Sequence, residues 1–264
     1  MRRVTRSENY ELSAALTNDQ FLQSPNEAQR ARLLTTRLAE LAQELDALDQ
    51  AVKTYVPGGS VEALNDRSQD RIAAEKIMED WQTPIMAAMA KAVSASECSV
   101  LEIGFGRGVA ADFVQTHMPA SHTIIECNRS VIEDFYDPWV AGYSGRDIRI
   151  VEGLWEDTLP GLERFDGILF HTYPLTADEY VERVQRSVTF AAHFFEHAAN
   201  HLKPGGKFTY LTMEEDSLSR AHQRLLFQHF SGFEISQIHD LDVPEDTADA
   251  HWSQSMVLIT AVAK

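Results

Sequence analysis

Residues 99–128 read SVLEIGFGRGVAADFVQTHMPASHTIIECN, and this stretch decides the fold. Its apolar runs at residues 100–103 and 123–125 predict two buried strands, the second of which ends on Glu126. The glycine-rich residues 104–108 lie between the first strand and a predicted helix, where bare backbone N–H groups can approach a ligand. An acid about 20 residues further on can accept hydrogen bonds from both hydroxyls of a ribose. The stretch therefore predicts a site for a nucleoside-bearing cofactor.

The spacing of the glycines narrows the choice of cofactor. A GxGxxG loop suits a dinucleotide, whereas this chain has GxGxG with Glu102 two residues before the first glycine. That form is similar to the S-adenosylmethionine (SAM) loop of class I methyltransferases. A strand-to-helix turn that binds no ligand is the alternative on this stretch alone.

Further strands follow in alternation with helical segments. They are predicted at residues 148–151, 165–170, 207–211, 233–235 and 255–261. Such alternation predicts an α/β fold with a mostly parallel sheet. Together with the resemblance of the glycine loop, it leads us to expect the seven-stranded sheet of the class I SAM-methyltransferase (Rossmann-like) type. Because ligands bind beyond the carboxyl ends of parallel strands, Glu126, Trp155, Glu156 and His171 are expected at one edge of the sheet. Trp155 and Glu156 follow the third strand, where an adenine is expected.

The overall composition excludes some classes of partner. The net charge of −17 argues against nucleic acid, because binding to phosphates depends on clustered Lys and Arg. No run of about 18 apolar residues is present, so no membrane partner is expected. The basic N-terminus has no apolar run behind it and does not resemble a secretory signal. Cys98 and Cys127 are expected as a reduced, buried pair, and the protein is expected to be cytoplasmic.

The first part of the chain predicts a helical extension. We expect residues 1–75 to form this extension and residues 76–264 to form the methyltransferase domain. Residues 27–56 carry a heptad seam, which suits either pairing with a second chain or packing within the same chain. The extension is therefore expected to cap the site, to form a homodimer, or both; the seam comprises Leu34, Leu38, Leu41, Leu45, Leu48 and Val52. Further on, Pro84 predicts that one helix ends near Gln82 and another begins.

Six blocks of sequence carry a family resemblance. They are IMEDWQTPIM (77–86), VLEIGFG (100–106), IIECN (124–128), GLWED (153–157), FDGILFHTYPL (165–175) and LKPGG (202–206). In these blocks the chain resembles guanidinoacetate methyltransferase and its relatives among arginine-type N-methyltransferases. The resemblance covers about residues 77–211 and implies SAM-dependent methyl transfer.

The resemblance also implies contacts to the cofactor. Two methionines would line its pocket, residues 105–110 would hold its methionyl part, Glu126 its ribose, and Trp155 with Glu156 its adenine. The predicted cofactor-binding residues are Met78, Met86, Glu102, Gly104, Phe105, Gly106, Gly108, Val109, Ala110, Glu126, Cys127, Asn128, Trp155, Glu156 and His171.

Two positions depart from the family pattern. The family has WETP where this chain has Gln82, and DTYP where this chain has His171. The two family acids grip a cationic guanidinium, which offers only hydrogen-bond donors. Neutral side chains in their place predict a neutral acceptor, with His171 as general base and Gln82 orienting the substrate.

Aromatic residues complete the predicted acceptor site. Trp81, Phe21 and Tyr173 are expected to line it, and Tyr10 is a further candidate for a catalytic role. Such a pocket suits a flat ring, so the best candidate is C3 of the indole in a tryptophan-derived compound of secondary metabolism. The indole N–H would give its proton to His171 while C3 takes the methyl group.

Two alternatives differ in function class. The first is a guanidino N-methyltransferase in which another acid, such as Glu79 or Glu214, grips the guanidinium. The second is a non-catalytic module that binds SAM and interacts with other molecules. His193, His197 and His201 recur every four residues; we expect a solvent-facing stripe there, and no metal site.

Overall fold

The computed structural model describes residues 35, 38–39, 42–43, 67–68, 71–212, 214, 217–244 and 254–264. The chain divides into two compact units, Arg2–Val56 and a larger unit made of Met1 and Pro57–Lys264. The boundary expected between residues 75 and 76 stays a prediction. Within the described residues, no helix has both the length and the apolar character needed to span a bilayer.

A seven-stranded sheet forms the centre of the larger unit. Its strand order is β3-β2-β1-β4-β5-β7-β6, with β1 to β5 parallel and β7 antiparallel to both of its neighbours. This arrangement confirms the predicted fold class. The strands are β1 (Ser99–Ile103), β2 (Ser121–Glu126), β3 (Ile148–Glu152), β4 (Phe165–Phe170), β5 (Leu202–Thr212), β6 (Gly232–Ile238) and β7 (Met256–Val262).

Helices connect the strands and cover both faces of the sheet. The α-helices are α1 (Ala74–Ile77), α2 (Thr83–Val93), α3 (Val109–Thr116), α4 (Arg129–Val131), α5 (Asp137–Val140), α6 (Trp155–Thr158), α7 (Ala177–Glu179), α8 (Phe195–His201) and α9 (Arg220–His229). Short 3-10 helices lie at Asp80–Gln82, Ala141–Tyr143, Leu159–Gly161 and Phe190–Phe194, and π-helical turns at Ile132–Tyr136 and Tyr180–Gln185.

Two hydrophobic layers hold the sheet between the helices. On one face α2 buries Ile85 and Met89 in a cluster with Leu169 of β4. On the other face, Phe195 of α8 packs against Phe208 of β5, with ring centroids 5.9 Å apart. Each such side chain contributes about 1.5–3 kcal/mol when it is fully buried. The two layers therefore hold the helices against both faces of the sheet.

Local predictions succeed at Pro84 and fail further along the chain. Gln82 ends a 3-10 turn and Pro84 occupies the first turn of α2, as predicted. The helix predicted over 176–201 is replaced by four short helical pieces of different type, with a gap in the helix assignment at residues 186–189. The turn predicted at 203–206 instead belongs to β5, whose pairing with β4 shifts register there.

The predictions for the N-terminal unit fall mostly outside the described residues. Tyr10 and Phe21 lie there, as do most of the heptad leucines and the dimer contact predicted through residues 27–56. Of the seam, Leu38 is helical and 57% exposed. Cys98 and Cys127 are both free thiols, and both are partly rather than fully buried.

Candidate functional site

The glycine loop leaves β1 at the carboxyl edge of the sheet. Gly104 donates its N–H to the carbonyl of Ile125 at 2.9 Å and has a φ of +86°. A Cβ at Gly104 would lie 2.9 Å from the carbonyl oxygen of His171, so the end of β4 packs directly against the loop. The loop runs into α3, where Gly108 is the N-cap. The structure thus brings the glycine loop and His171 together, as the sequence predicts.

Glu126 ties the loop to the end of β2. Its Oε2 accepts the N–H of Phe105 at 2.9 Å, and its Oε1 accepts the N–H of Asn128 at 2.8 Å. Asn128 in turn caps α4 by accepting the N–H groups of Ser130 and Val131. A carboxylate has about four acceptor positions, so two remain on Glu126 after these bonds. Its position and its spare acceptors fit the two hydroxyls of a ribose.

Phe105 closes the back of the loop. Its ring is buried and meets the rings of Tyr136 and Trp139 edge to face, at 5.3 and 5.2 Å between centroids. Ala110 is also buried, whereas Val109 is partly exposed. Cys127 lies beside Glu126, and burial, followed by the nearby charge of Glu126, raises the pKa of its thiol to about 12. The thiol therefore stays protonated at neutral pH.

Glu102 lies in the core instead of on the open edge. Its side chain is fully buried, and its Oε2 contacts Nε2 of His122 at 2.9 Å. His122 is itself buried and contacts Gln115 at 3.1 Å. Burial raises the pKa of Glu102, and among the described residues its Oε1 has no hydrogen-bond partner. The cofactor contact expected for Glu102 stays a prediction.

The roles of His122 and Gln115 were not predictable from the sequence. A single polar residue at 122 carries no periodic signal, because its partners come from a neighbouring strand and a helix.

An open cavity of about 320 Å³ lies between α1, the 3-10 turn and the glycine loop. Arg107 spans it by donating to the carbonyl of Met78 at 2.9 Å and to Asp80 Oδ1 at 3.0 Å. Glu79 lines the same cavity, and its Oε2 accepts the indole N–H of Trp81 at 2.8 Å. The cavity therefore presents two carboxylates and one guanidinium; its lining residues are Ala74, Met78, Glu79, Asp80 and Arg107.

Gln82 is buried and partly committed to the backbone. Its Oε1 accepts the N–H of Glu79 at 2.9 Å, and its side chain is 6% exposed. What remains to Gln82 is mainly its NH₂ group, which donates hydrogen bonds. Met86, one helical turn further along, is 2% exposed within the core. Met86 is thus placed to line a pocket, and Gln82 to donate a hydrogen bond from its NH₂ group.

His171 and Tyr173 follow the end of β4 and are partly buried. The backbone N–H of His171 lies 3.4 Å from the carbonyl of Ile103, which continues the pairing of β4 with β1. The guanidinium of Arg67 lies 4.9 Å from the centre of the Tyr173 ring. This contact of Arg67 with Tyr173 was not predictable, because no sequence pattern around residue 67 indicates it.

Trp155 faces the helical layer. Its ring meets those of Phe194 and His197 at 4.9 Å and that of His193 at 5.6 Å. The solvent-facing stripe expected of these histidines is therefore wrong for His193 and His197, which pack among aromatic rings. Burial lowers the pKa of His193 to about 4. Glu156 lies 3.4 Å from Arg183, and the adenine contact predicted for Trp155 and Glu156 stays a prediction.

Comparisons with solved structures support the fold. Among solved structures, SMU.776, a putative methyltransferase complexed with SAH, matches with a TM-score of 0.53 at 12% identity, covering 73% of this chain and 52% of that chain. M. jannaschii TYW2 in complex with AdoMet matches with a TM-score of 0.50 at 14% identity, covering 70% of this chain and 76% of that chain. These likenesses show the fold.

Sequence relatives carry more specific names. Protein arginine N-methyltransferase 2 of Eremothecium gossypii is 30% identical over 175 residues, which is 62% of this chain and 37% of the relative. The protein of the same name from Emericella nidulans is 26% identical over 227 residues, 81% of this chain and 49% of the relative. The chain thus spans less than half the length of either relative.

A family profile covers most of the chain. The profile described as guanidinoacetate N-methyltransferase matches residues 60–242. That range includes the cavity, the glycine loop, Glu126 and His171. The chain belongs to the guanidinoacetate N-methyltransferase family.

Proposed function

We propose that this protein is a SAM-dependent methyltransferase that transfers the methyl group to a nitrogen of a guanidino compound. The family and the names of the relatives support this acceptor above the indole. The observation that carries the proposal is Glu79, a carboxylate on the wall of the cavity beside the glycine loop. A guanidinium has five N–H donors and no acceptor, so it needs such a carboxylate.

Different residues at the carboxyl edge of the sheet would bind different parts of the cofactor. Glu126 would accept the ribose hydroxyls, and the backbone of residues 104–108 would receive the methionyl part. Bound SAM supplies a methyl group on a positively charged sulfur, which leaves as a neutral thioether when the nucleophile takes the methyl. Alignment of the nucleophile by the protein accounts for much of the rate in such a displacement.

Glu79 would hold the acceptor and take its proton. A protonated guanidinium has no lone pair for attack, so one proton must leave the nitrogen that receives the methyl group. Oε2 of Glu79 accepts a hydrogen bond from the indole N–H of Trp81, which is an uncharged donor and orients the carboxylate. Gln82 offers mainly an N–H donor and cannot replace the family acid. The carboxylate that takes the proton therefore lies at a different position from the acid of the family pattern.

One observation favours a second candidate acceptor. Gln82 and His171 are neutral where the family has acids, which suits an uncharged ring with an N–H group, such as an indole. In this case His171 takes the ring proton and Glu79 has no role in the chemistry.

Turnover with labelled SAM distinguishes the two candidates. The acceptors are guanidinoacetate, arginine, indole and tryptophan-derived cyclic dipeptides. We expect product from a guanidino compound, with kcat/KM reduced about tenfold or more in Glu79→Gln, because a charge-assisted hydrogen bond contributes about 1.5–3 kcal/mol. Glu234→Gln, which removes a charge from exposed β6, is the matched control. Product from indoles alone, lost in His171→Ala and kept in Glu79→Gln, would establish the second candidate.

A further inference from the structure

A hydrogen-bonded triad is formed by Tyr210 on β5, Glu214 just after β5 and His222 on α9. None of the three residues lines the cavity. The phenol oxygen of Tyr210 is 2.6 Å from Nε2 of His222, and Nδ1 of His222 is 2.6 Å from Oε2 of Glu214. The backbone N–H of Ser219 donates to Oε1 of Glu214 at 3.1 Å. Both oxygens of Glu214 are thus held in place by hydrogen bonds from the protein.

One tautomer of His222 satisfies both hydrogen bonds of the triad. With the proton on Nδ1, His222 accepts the O–H of Tyr210 and donates to Glu214. The side chain of His222 is fully buried and Tyr210 is 1% exposed, whereas the side chain of Glu214 is 24% exposed. Glu214 is therefore the one residue of the triad that a ligand can reach. The two buried members set its position.

The charge of Glu214 is maintained at neutral pH. Burial by itself raises the pKa of Glu214, but the hydrogen bonds from His222 and Ser219 outweigh it, so the pKa lies below its usual value. Burial raises the pKa of Tyr210 well above its usual value, so the phenol keeps its proton as the donor to His222.

Glu214 lies at the edge of the sheet that carries the site. It comes two residues after Thr212, the last residue of β5. β5 is parallel to β4, with Leu169 opposite Thr209, and β4 ends immediately before His171. The strand that delivers Glu214 is thus the direct neighbour of the strand that delivers His171.

We propose that Glu214 binds the cationic group of the acceptor and that His222 is its positioning residue. This inference rests on the proposed guanidino methylation and adds a second acid to it. Each oxygen of Glu214 accepts one hydrogen bond from the protein, so each keeps an acceptor position for one N–H of a guanidinium. Two parallel N–H bonds to one carboxylate give orientation as well as affinity. Glu214, like Glu79, lies at a position other than those of the family acids.

Steady-state kinetics with guanidinoacetate and SAM test the role of Glu214. Glu214→Gln keeps the size of the side chain and an oxygen that accepts from His222, but removes the charge. We expect its KM for guanidinoacetate to rise about tenfold or more, since a hydrogen bond to a charged group contributes about 1.5–3 kcal/mol. Its affinity for SAH, measured by calorimetry, is expected to stay at the wild-type value. Glu234→Gln is the control for a loss of charge at a distance.

The positioning role of His222 has its own readout. His222→Phe removes the donor to Glu214, and we expect KM for guanidinoacetate to rise while SAH affinity stays unchanged. Tyr210→Phe removes only the hydroxyl and leaves Nδ1–H in place, so a much smaller rise is expected. Equal losses of SAH and acceptor affinity in His222→Phe would mean a purely structural role and would overturn the assignment.

Failure of this inference differs from failure of the proposed function. A wild-type protein that methylates guanidinoacetate, with an unchanged KM in Glu214→Gln, overturns the role of Glu214 and leaves the function standing. A wild-type protein that methylates no guanidino compound overturns both.

Discussion

Alanine at two glycines of the loop is expected to lower stability by different amounts, and at Gly106 also to weaken cofactor binding. Gly104 and Gly106 have φ values of +86° and +59°, so alanine at either position costs about 1–2 kcal/mol of backbone strain. A Cβ at Gly104 would lie 2.9 Å from the carbonyl oxygen of His171, whereas at Gly106 its nearest neighbour is Ile77, at an ordinary 3.5 Å. Gly104→Ala therefore adds an overpacking cost of about 1–3 kcal/mol.

Urea unfolding and calorimetry separate these effects. We expect the free energy of unfolding to fall by about 1–2 kcal/mol in Gly106→Ala and by about 2–5 kcal/mol in Gly104→Ala. The methyl group at Gly106 meets little protein, so it occupies the space that a ligand would use. We expect SAH affinity in Gly106→Ala to fall by about tenfold or more, because the backbone can no longer approach the ligand closely.

The outcome that would refute this reasoning is specific. If Gly106→Ala bound SAH as tightly as the wild type, the loop would not be the surface that receives the cofactor. If Gly104→Ala were no less stable than Gly106→Ala, the close packing of the loop against His171 would be wrong.

Three further variants test Glu126, Glu102 and the two positions that depart from the family pattern. Glu126→Gln removes the negative charge and replaces one of the two oxygens that accept backbone N–H groups. We expect calorimetry to show SAH affinity reduced about tenfold or more. Burial raises the pKa of Glu102, so the wild type loses stability as pH rises through that pKa; Glu102→Gln should flatten this loss and gain more stability at pH 8 than at pH 5 in urea unfolding. The double variant Gln82→Glu with His171→Asp restores the family acids. We expect its kcat/KM for guanidinoacetate to rise about tenfold or more, and no gain would show that these positions do not face the acceptor.

The sheet and its edge were predictable because they depend on local patterns. Short apolar runs separated by turn residues locate all seven strands, and a glycine loop followed by Glu126 identifies the edge that binds a ligand. Since parallel strands all end at one edge, strand ends alone bring Glu126 near residues 104–108 and His171. The contact of Phe105 N–H with Glu126 then follows from this convergence.

The buried polar contacts were not predictable in the same way. Glu102 is read from sequence as part of the cofactor motif, yet its carboxylate contacts His122 on the neighbouring strand. His193 has helical spacing that suits a solvent-facing stripe, yet packs against the ring of Trp155. In both cases the partner is distant in sequence, and the register of packed elements decides the contact.

The remaining question about the acceptor concerns which carboxylates are available to a cation. Asp80 and Glu156 each already form an ion pair with an arginine side chain. Glu102 is buried against a histidine, and transfer of a cation into that core would be costly. Glu79 and Glu214 differ from these three because neither contacts an arginine in the contacts described above and both residues are partly exposed. Hydrogen bonds from the protein orient both carboxylates, so we expect these two acids to bind the guanidinium although the family positions hold glutamine and histidine.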